Sequence, residues 1–457
     1  MTSSVGVSPG PVTRAPAVQR DGPLSRLDTA TTPGTLGLLL VGLVLLSLAW
    51  GVLTSLTAEQ HASAAADLVA VSEPLSLDAE QIYQSLSDAD ATAASAFLYP
   101  GGLEPAAERQ RYNADVAQAA IRIEAASALL GSSAARTQLP GHLSKQASTA
   151  GSATGDDLAT LSAGLPVYAD EVGTARADNR IGYPLGAAYL REASTLLRGT
   201  LLPAASDIYT KENGLLTSAS AQATGLPLLV VTFLFGLGAG SLLYLSSRWL
   251  TRRTHRRVNY GLLVAAVAGA VSLVWLVGAF FFGRAELLHA QQHGSAPAEA
   301  FARADVAALQ AHADESLTLI DNTGDDSYQK DFIAQQKLLG PGPGTLLAAV
   351  QASAGVGSAA ADAQAWYRAH AALRALDDSG NHTAAVQSAL NGQASATFTR
   401  LSADLSGGIG AHQAVFASDA RGGRDAFTGL AVGMIVASLI MAASCAWGLN
   451  RRLAEYR

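Results

Sequence analysis

Four long apolar stretches divide the chain into segments of alternating hydropathy. They cover residues 34–57, 225–245, 260–282 and 428–449, and none of them contains a charged residue or a histidine. A helix needs about 20 mostly apolar residues to cross the hydrocarbon core of a bilayer. The pattern therefore predicts four transmembrane helices, separated by two long polar segments and one short loop.

The first long segment, residues 58–224, has the spacing of helices that pack against one another. Apolar residues recur every three or four positions, which is the period of a buried helix face. Two such stripes are Leu68, Val71, Leu75, Ile82, Leu86, Ala93 and Phe97, directly after the first span, and Leu158, Leu161, Leu165, Tyr168 and Val172. Glycine and proline interrupt the pattern at 100–102, between 131 and 141, and at 182–184. Three breaks predict four helices in an antiparallel bundle.

The second long segment, residues 283–427, follows the same plan with shorter pieces. Its breaks fall at 321–326, 340–344 and 377–381, where aspartate, asparagine, glycine and proline cluster. Strand-like alternation is almost absent from both segments. The predicted fold class is an all-α membrane protein with four transmembrane helices and two antiparallel helical-bundle domains of the sensor type.

Short matches between the two long segments indicate a tandem duplication of a span–bundle–span unit. Asp90, Gly101 and Tyr112 correspond to Asp314, Gly324 and Tyr328, while Val167, Tyr168, Arg176 and Gly182 correspond to Trp366, Tyr367, Arg374 and Gly380. The halves would then be parallel repeats, unlike the inverted repeats of many transporters.

Charge predicts the orientation of these segments. The loop 246–259 contains five arginines and no acidic residue, whereas acidic residues outnumber basic ones in both long segments. Because an excess of Lys and Arg marks the cytoplasmic side, we expect the loop, the tail 1–33 and the tail 450–457 to be cytoplasmic. Both bundles would be extracytoplasmic, on a multi-pass protein of the cell membrane. Prolines spaced along 1–33 predict a disordered tail.

The arginines of the short loop have two interpretations. They contact anionic lipid headgroups, which is the better-supported role of a basic juxtamembrane segment, or they bind a cytoplasmic protein. The residues concerned are Arg248, Arg252, Arg253, Arg256 and Arg257. Since the net charge of −7 averages over oppositely charged sides, nothing in it indicates a nucleic-acid partner.

Motifs for catalysis or cofactor binding are not found in the sequence, so we expect no enzyme activity, no metal and no cofactor. No phosphate loop, zinc-protease motif or nucleophile elbow is present. His289 and His293 could share a helix face, but no acidic ligand is well placed near them. Gly236 and Gly240 in the second span, like Gly429 and Gly433 in the fourth, have the four-residue spacing of helix-packing motifs. These motifs suit a pseudo-symmetric monomer or a homodimer.

Bundles whose helices continue into the membrane suit a relay, because small helix movements outside can reach the inner ends. Charged residues are lacking in the spans, which disfavours an ion-coupled transporter. Little chain would be left inside, so the output would need a separate cytoplasmic protein.

From the first span to the fourth, the chain resembles the GlnX family, the membrane component of the actinobacterial GlnH–GlnX–PknG system. The likeness rests on the four-span layout and on the stretches 85–98 and 179–194, the second with an Asn-Arg-x-Gly-x-Pro sequence ahead of a helix. The resemblance implies a relay between an amino-acid-binding extracytoplasmic lipoprotein and a cytoplasmic Ser/Thr kinase that controls nitrogen and carbon metabolism.

Candidate contact residues follow from these interpretations. For the lipoprotein we predict a surface that contains Asp88, Asp90, Asn179, Arg180, Gly182, Tyr183 and Pro184; the turn at 182–184 could equally serve only to close two helices. One alternative function is a direct chemosensor, in which Arg176 or Arg374 grips a carboxylate ligand with two hydrogen bonds. Another is a scaffold subunit of an envelope complex without signalling.

Overall fold

The computed structural model describes residues 32–67, 73–131, 141–223, 227–254, 259–321, 326–340, 342–352, 358–425 and 429–454. All regular secondary structure within these residues is helical. In chain order the α-helices are α1 (Thr32–Asp67), α2 (Glu73–Phe97), α3 (Ala106–Gly131), α4 (Gly141–Arg180), α5 (Leu185–Leu196), α6 (Leu202–Ala223), α7 (Pro227–Thr254), α8 (Tyr260–His289), α9 (Ala296–Ile320), α10 (Ser327–Leu339), α11 (Leu346–Ala352), α12 (Ala359–Asp378), α13 (His382–Asn391), α14 (Gln393–Asp425) and α15 (Leu430–Leu453).

Four helices are long and apolar enough to cross a membrane. They are α1, α7, α8 and α15, with apolar segments at Leu36–Thr57, Val230–Arg248, from Tyr260 onward, and Leu430–Arg451. Helix α8 continues through a π-helical turn, Ala290–Ser295, into α9, so that helical structure runs from Tyr260 to Ile320. The prediction of an all-α membrane protein with four spans is confirmed.

Contacts along the chain divide it into two compact units. We call residues 1–57, 227–276 and 430–457 the span unit, and residues 58–226 and 277–429 the bundle unit. The bundle unit contains both of the predicted outer domains, which pack together and share one hydrophobic core.

In the span unit, glycines on one helix lie against tryptophan rings of a neighbouring helix, which lets the two helices pack closely. A Cβ on Gly236 of α7 would lie 2.8 Å from the Trp50 ring of α1, and one on Gly433 of α15 would lie 2.4 Å from the Trp275 ring of α8. Trp50 also donates from Nε1 to Ser272 Oγ at 3.1 Å. These contacts lie within one chain, and they repeat between the first pair of spans and the second pair.

The two other glycines of the predicted packing motifs make no such contact. Nothing lies within 4 Å of a Cβ added at Gly240 or Gly429, and Gly429 instead has a positive φ of 75° just before α15. Close approaches that the motifs did not indicate occur at Gly51, facing Ser438, and at Gly261, facing Gly448.

The bundle unit consists of two bundles with the same helix order. The first contains α2, α3, α4 and the long helix α5–α6. Its breaks at 100–102 and 182–184 fall where glycine and proline predicted them, and the break predicted between 131 and 141 lies outside the described residues. The second contains α9, α10 with α11, α12, and α13 with α14. Sequence analysis missed a break at Gly392, between α13 and α14. Leu68 and Val71 of the first predicted stripe lie outside the described residues.

Identical caps end the third helix of each bundle. After α4, Gly182 has a φ of 74°, its N–H binds Asn179 O, and the Tyr183 N–H binds Asp178 O at 2.8 Å. After α12, Gly380 has a φ of 85°, its N–H binds Asp377 O, and the Asn381 N–H binds Leu376 O at 2.9 Å. Both are Schellman caps, which need a left-handed residue that glycine adopts without strain. The shared cap supports the correspondence of Gly182 with Gly380.

The corresponding first helices of the bundles, α2 and α9, pack against each other at the centre of the unit. Alanines of α2 and of α9 are almost fully buried there. Small side chains on both helices permit this approach, and the two bundles consequently bury a common core.

Candidate functional site

An arginine of the first bundle binds carboxylates from both bundles. Arg198 lies in a π-helical turn, Leu197–Leu201, between α5 and α6. Its Nε donates to Asp90 Oδ2 on α2 at 3.2 Å, and its Nη1 donates to Asp314 Oδ1 on α9. Ser194 Oγ donates to the same Asp90 oxygen at 3.0 Å. We call Arg198, Asp90 and Asp314 the bridging cluster.

The two carboxylates of the bridging cluster are buried and its arginine is partly buried, which strengthens their electrostatic interactions. The Asp90 and Asp314 side chains are 5% and 1% exposed, against 24% for Arg198. Burial disfavours the charge of Arg198, but the two carboxylates outweigh that effect and raise its pKa. Burial also raises the pKa of Asp314 to about 6, although the guanidinium opposes the shift. Removal of the arginine would leave two buried carboxylates without a counterion.

Two further polar contacts join the bundles. Arg191 Nη1 of α5 lies 3.2 Å from Asp321 Oδ1 after α9. Gln310 Nε2 of α9 donates to the Tyr83 hydroxyl of α2 at 3.4 Å. These contacts and the bridging cluster all connect the first bundle to α9 or its end, so α9 carries these polar contacts between the bundles.

The second bundle has a buried charged group of its own. Glu315 of α9 is fully buried, with Oε2 2.7 Å from His370 Nδ1 and Oε1 3.5 Å from His312 Nδ1. Burial raises the pKa of this carboxyl, but the hydrogen bonds and charges of the two histidines outweigh it and lower the pKa to about 2. Phe332 stacks on His370, and Phe398 on His312. Both of these partners of the carboxylate belong to its own bundle, His370 through a hydrogen bond and His312 at a longer ion-pair distance.

The two aspartates predicted to contact a partner face different directions on α2. Asp90 is interior, at 4% exposure. Asp88 binds Arg111 of α3 with both oxygens, at 2.7 and 3.1 Å, and its side chain is 21% exposed. Of the pair, only Asp88 is accessible from outside the bundle.

The predicted contact turn lies at the end of the first bundle opposite Glu73 and Ala223. Asn179 Nδ2 donates to Phe97 O at 3.0 Å, so that this side chain ties the end of α4 to the end of α2. Arg180, Gly182 and Pro184 are exposed. Tyr183 is 60% exposed and stands among other exposed apolar side chains, namely Leu103, Ile181 and Leu185. The turn therefore closes two helices and also presents an apolar surface.

The two arginines of the alternative ligand site have protein partners. Arg176 Nε lies 3.2 Å from Glu104 Oε2, and its guanidinium lies 4.0 Å above the Tyr112 ring. Arg374 binds Asp377 and Asp378 of its own helix, each at 2.8 Å. Despite their matched sequence positions, Arg176 faces the interior of its bundle while Arg374 stabilises a helix end.

At the short loop, the side chains of Arg248 and Arg252 are exposed, and Arg248 Nη1 donates to the Tyr244 hydroxyl at 3.3 Å. The side chains of Arg253, Arg256 and Arg257 lie outside the described residues. His289 binds Asp419 through Nδ1 at 2.7 Å. In the described part of the chain, no group of three His, Cys, Asp or Glu side chains is arranged to hold a metal ion.

Comparison with known proteins defines the class of the first bundle. Residues 64–221 match the family model of an actinobacterial sensor domain, a range that includes α2 to α5 and all but the last two residues of α6. No curated protein and no solved structure matches the chain. The protein is a multi-pass membrane protein whose first bundle is similar to a sensor domain of actinobacteria, and a sensor domain points to a signal-sensing role.

Sequence analysis missed the bridging cluster as a unit. It paired Asp90 with Asp314 as repeat positions, but it gave no role to Arg198, Glu315, His312 or His370. The sequence did contain an indication of this cluster, namely charged residues on Ala-rich helix faces that become buried. Charged side chains are rarely buried without a partner. Which partner each would find depends on contacts between helices distant in the sequence.

Proposed function

We propose that this protein is a transmembrane relay, without catalytic activity, that senses a state outside the membrane and passes it to a separate cytoplasmic protein. In this proposal both bundles are extracytoplasmic and both termini are cytoplasmic, as the arginine-rich loop favours. The observation that carries the proposal is the helical run from Tyr260 to Ile320. It contains the third span and also Asp314, which binds the arginine of the sensor-like bundle.

The relay would work by a change in how the two bundles pack. Bistable packing of helices converts small shifts into discrete states. A partner that binds the first bundle could move α5 and α6, and with them Arg198. Asp314 would follow because its buried carboxylate has a strong preference for the guanidinium. The movement would then enter the helix that contains the third span.

For the input, we propose an extracytoplasmic amino-acid-binding lipoprotein that docks on the turn 179–184. Exposed apolar and aromatic side chains in a loop fit a protein contact. Tyr183 is the central candidate because it is 60% exposed and no hydrogen bond or ion pair involves its side chain in the described residues. Asp88 would contribute only at the edge, since Arg111 already binds it.

For the output, we propose a cytoplasmic Ser/Thr kinase that contacts the loop of Arg248, Arg252, Arg253, Arg256 and Arg257. Contact of these arginines with lipid headgroups is the competing role. The Arg248 and Arg252 side chains are exposed, as either role requires. A kinase-specific role would be revealed if alanine at Arg252 reduced kinase recovery without changing the amount of membrane protein.

Co-purification tests the proposed input. The full-length protein would be isolated from native membranes in mild detergent, with and without aspartate or glutamate, and bound proteins identified by mass spectrometry. We expect a binding lipoprotein whose yield depends on the amino acid, and at least a fivefold lower yield with Tyr183→Ala. Ile121→Ala, at an equally exposed site on α3, is the matched control and should leave the yield unchanged.

Two outcomes would contradict the proposal. Recovery of the protein alone, in both conditions, would contradict the proposal that a lipoprotein docks on it. Recovery with transporter subunits, and unchanged kinase-dependent phosphorylation in a deletion strain, would favour a scaffold of an envelope complex instead.

A further inference from the structure

A cavity of 430 Å³ lies between the two bundles and does not include any residue of the bridging cluster. Its walls come from α2 and α6 of the first bundle and from α9, α10 and α11 of the second. Small-molecule sites commonly measure about 300–1,000 Å³ and occur where domains meet. The cavity therefore has the size and the position of a ligand site.

Three buried polar atoms in the wall residues have no hydrogen-bond partner among the described residues. They are Glu80 Oε1 and Gln84 Nε2 on α2, and Gln335 Oε1 on α10. Buried polar groups in folded proteins are nearly always paired, because an unpaired one loses its hydration without compensation. Two of the atoms accept hydrogen bonds and one donates, so the wall offers a mixed set of polar atoms.

The charge of the wall is negative. Glu80 and Glu299 face a single cation, Arg303, whose Nη1 is 3.7 Å from Glu299 Oε1 and whose side chain is 66% exposed. Two carboxylates against one guanidinium leave a net charge of −1. Tyr83 and Tyr209 add aromatic rings to the same wall, and such rings attract cations through their faces.

We propose that this cavity binds a small primary ammonium compound, whose ammonium group donates to Glu80 Oε1 and Gln335 Oε1. A primary ammonium has three N–H donors and one positive charge, which matches two acceptors and a surplus carboxylate. An acceptor atom elsewhere in the ligand would receive the hydrogen bond that Gln84 Nε2 can donate. An anionic ligand is disfavoured, because the exposed Arg303 already faces Glu299.

Protonation of Glu80 gives the proposal a pH dependence. Burial, and then the charge of Glu299, raises the pKa of Glu80 to about 7. The other ionisable groups that line the cavity are Tyr83 on α2, Tyr209 on α6, and Glu299 and Arg303 on α9. Below this pKa the carboxyl is neutral, and above it the carboxylate attracts a cation. Ammonium binding consequently becomes tighter as the pH rises through 7.

Isothermal titration calorimetry on the full-length protein in lipid nanodiscs tests the proposal. The titrants are 1,4-diaminobutane and L-lysine methyl ester as ammonium probes, glutarate as an anion and calcium chloride as a metal ion. We expect at least one ammonium probe to bind at pH 8 and to bind at least fivefold more weakly at pH 6. Glutarate and calcium should give no saturable heat at the same site.

Glu80→Gln is the decisive variant because it removes the charge and keeps the volume. We expect at least tenfold weaker ammonium binding and loss of the pH dependence, whereas Glu124→Gln, exposed on α3 of the same bundle, should bind as wild type. Gln335→Leu is a second variant, expected to weaken binding severalfold, in case Glu80→Gln does not fold as judged by circular dichroism.

The proposal is overturned if no ammonium probe binds, if both variants bind as wild type, or if glutarate or calcium competes for the site. It does not rest on the lipoprotein or the kinase, and its failure would leave the co-purification result unaffected. Conversely, ammonium binding with no lipoprotein recovered would favour direct sensing.

Discussion

The two bundles share a helix order and a helix cap, yet they satisfy their buried charges differently. In the second bundle, Glu315 is bound by His312 and His370 of the same bundle. In the first, Arg198 binds Asp90 of its own bundle and Asp314 of its neighbour. One helical plan can therefore bind a buried charge within a single bundle or share it with a second bundle, and the second bundle then becomes part of the first bundle's stability.

The bridging cluster connects the sensor-like segment to a residue outside that segment. The match to the actinobacterial sensor domain ends at residue 221, but the second carboxylate of the bridging cluster is at position 314. If Asp314 were lost, Arg198 would still have Asp90, whereas loss of Arg198 would leave the buried Asp314 without the cation that binds it. We therefore expect changes in the first bundle to be felt in the second more strongly than the reverse.

Arg198→Met should give the largest loss of stability. It leaves Asp90 and Asp314 buried without their guanidinium, which costs roughly 3–5 kcal/mol for a buried pair. The measurement is chemical unfolding in detergent, with the exposed Arg368→Met of α12 as a control. A loss below about 1 kcal/mol would mean that the bridging cluster is not a buried ionic contact. Adding Asp90→Asn and Asp314→Asn to Arg198→Met should recover part of the loss.

Glu315→Gln tests the buried charge of the second bundle. It should cost roughly 3 kcal/mol at pH 7, because the two histidines lose their carboxylate. The folded pKa of about 2 lies below the ordinary 4.5, so the ionised group stabilises the fold above pH 4.5. That contribution is lost as the pH falls from 4.5 towards 2. The difference between variant and wild type should shrink over the same window, while exposed Glu192→Gln shows no such trend.

Asp305→Asn should have the opposite pH dependence. Asp305 of α9 is buried, and burial together with the charge of Asp88 on α2 raises its pKa from 3.8 to about 7. Stability from this group is complete below pH 3.8 and is lost as the pH rises through 7. The variant should therefore be roughly 2 kcal/mol more stable than wild type at pH 8 and equal to it near pH 4. Exposed Asp207→Asn is the control; a variant less stable at pH 8 would contradict this account.

Alanine at the two helix caps should produce the smallest effects, and equal ones. Gly182→Ala and Gly380→Ala each place a Cβ at a positive φ with nothing within 4 Å, so the cost is the left-handed backbone alone, about 1 kcal/mol. Gly173→Ala, at an exposed helical position in α4, should instead stabilise slightly. Unequal costs at the two caps, seen in urea unfolding, would show that the duplicated caps carry different strain.

Local rules predicted much of this fold. The spans follow from uninterrupted apolar stretches, and most helix ends coincide with glycine and proline runs because those residues disfavour helix interiors. Gly182 and Gly380 predicted the breaks after α4 and α12, and the helix caps that these two glycines form explain why the helices end there.

The candidate site was less predictable because it depends on contacts between distant helices. Asp90 and Asp88 are two residues apart, and the helical twist alone places them on different faces. That the interior one would meet Arg198, and that Arg198 would reach a second bundle, follows only from the packing of α2 against α9. Arg176 and Arg374 occupy matched positions, but Asp377 and Asp378 exist beside only one of them.

A double-mutant cycle between Arg198 and Asp314 measures the connection between the two bundles. The free energy of unfolding would be measured for wild type, Arg198→Met, Asp314→Asn and the double variant at pH 8. A guanidinium shared between the bundles predicts a coupling energy of roughly 1.5–3 kcal/mol. Losses that add to within about 0.5 kcal/mol would show that the two residues act independently, and the bundles would then lack the connection on which the relay depends.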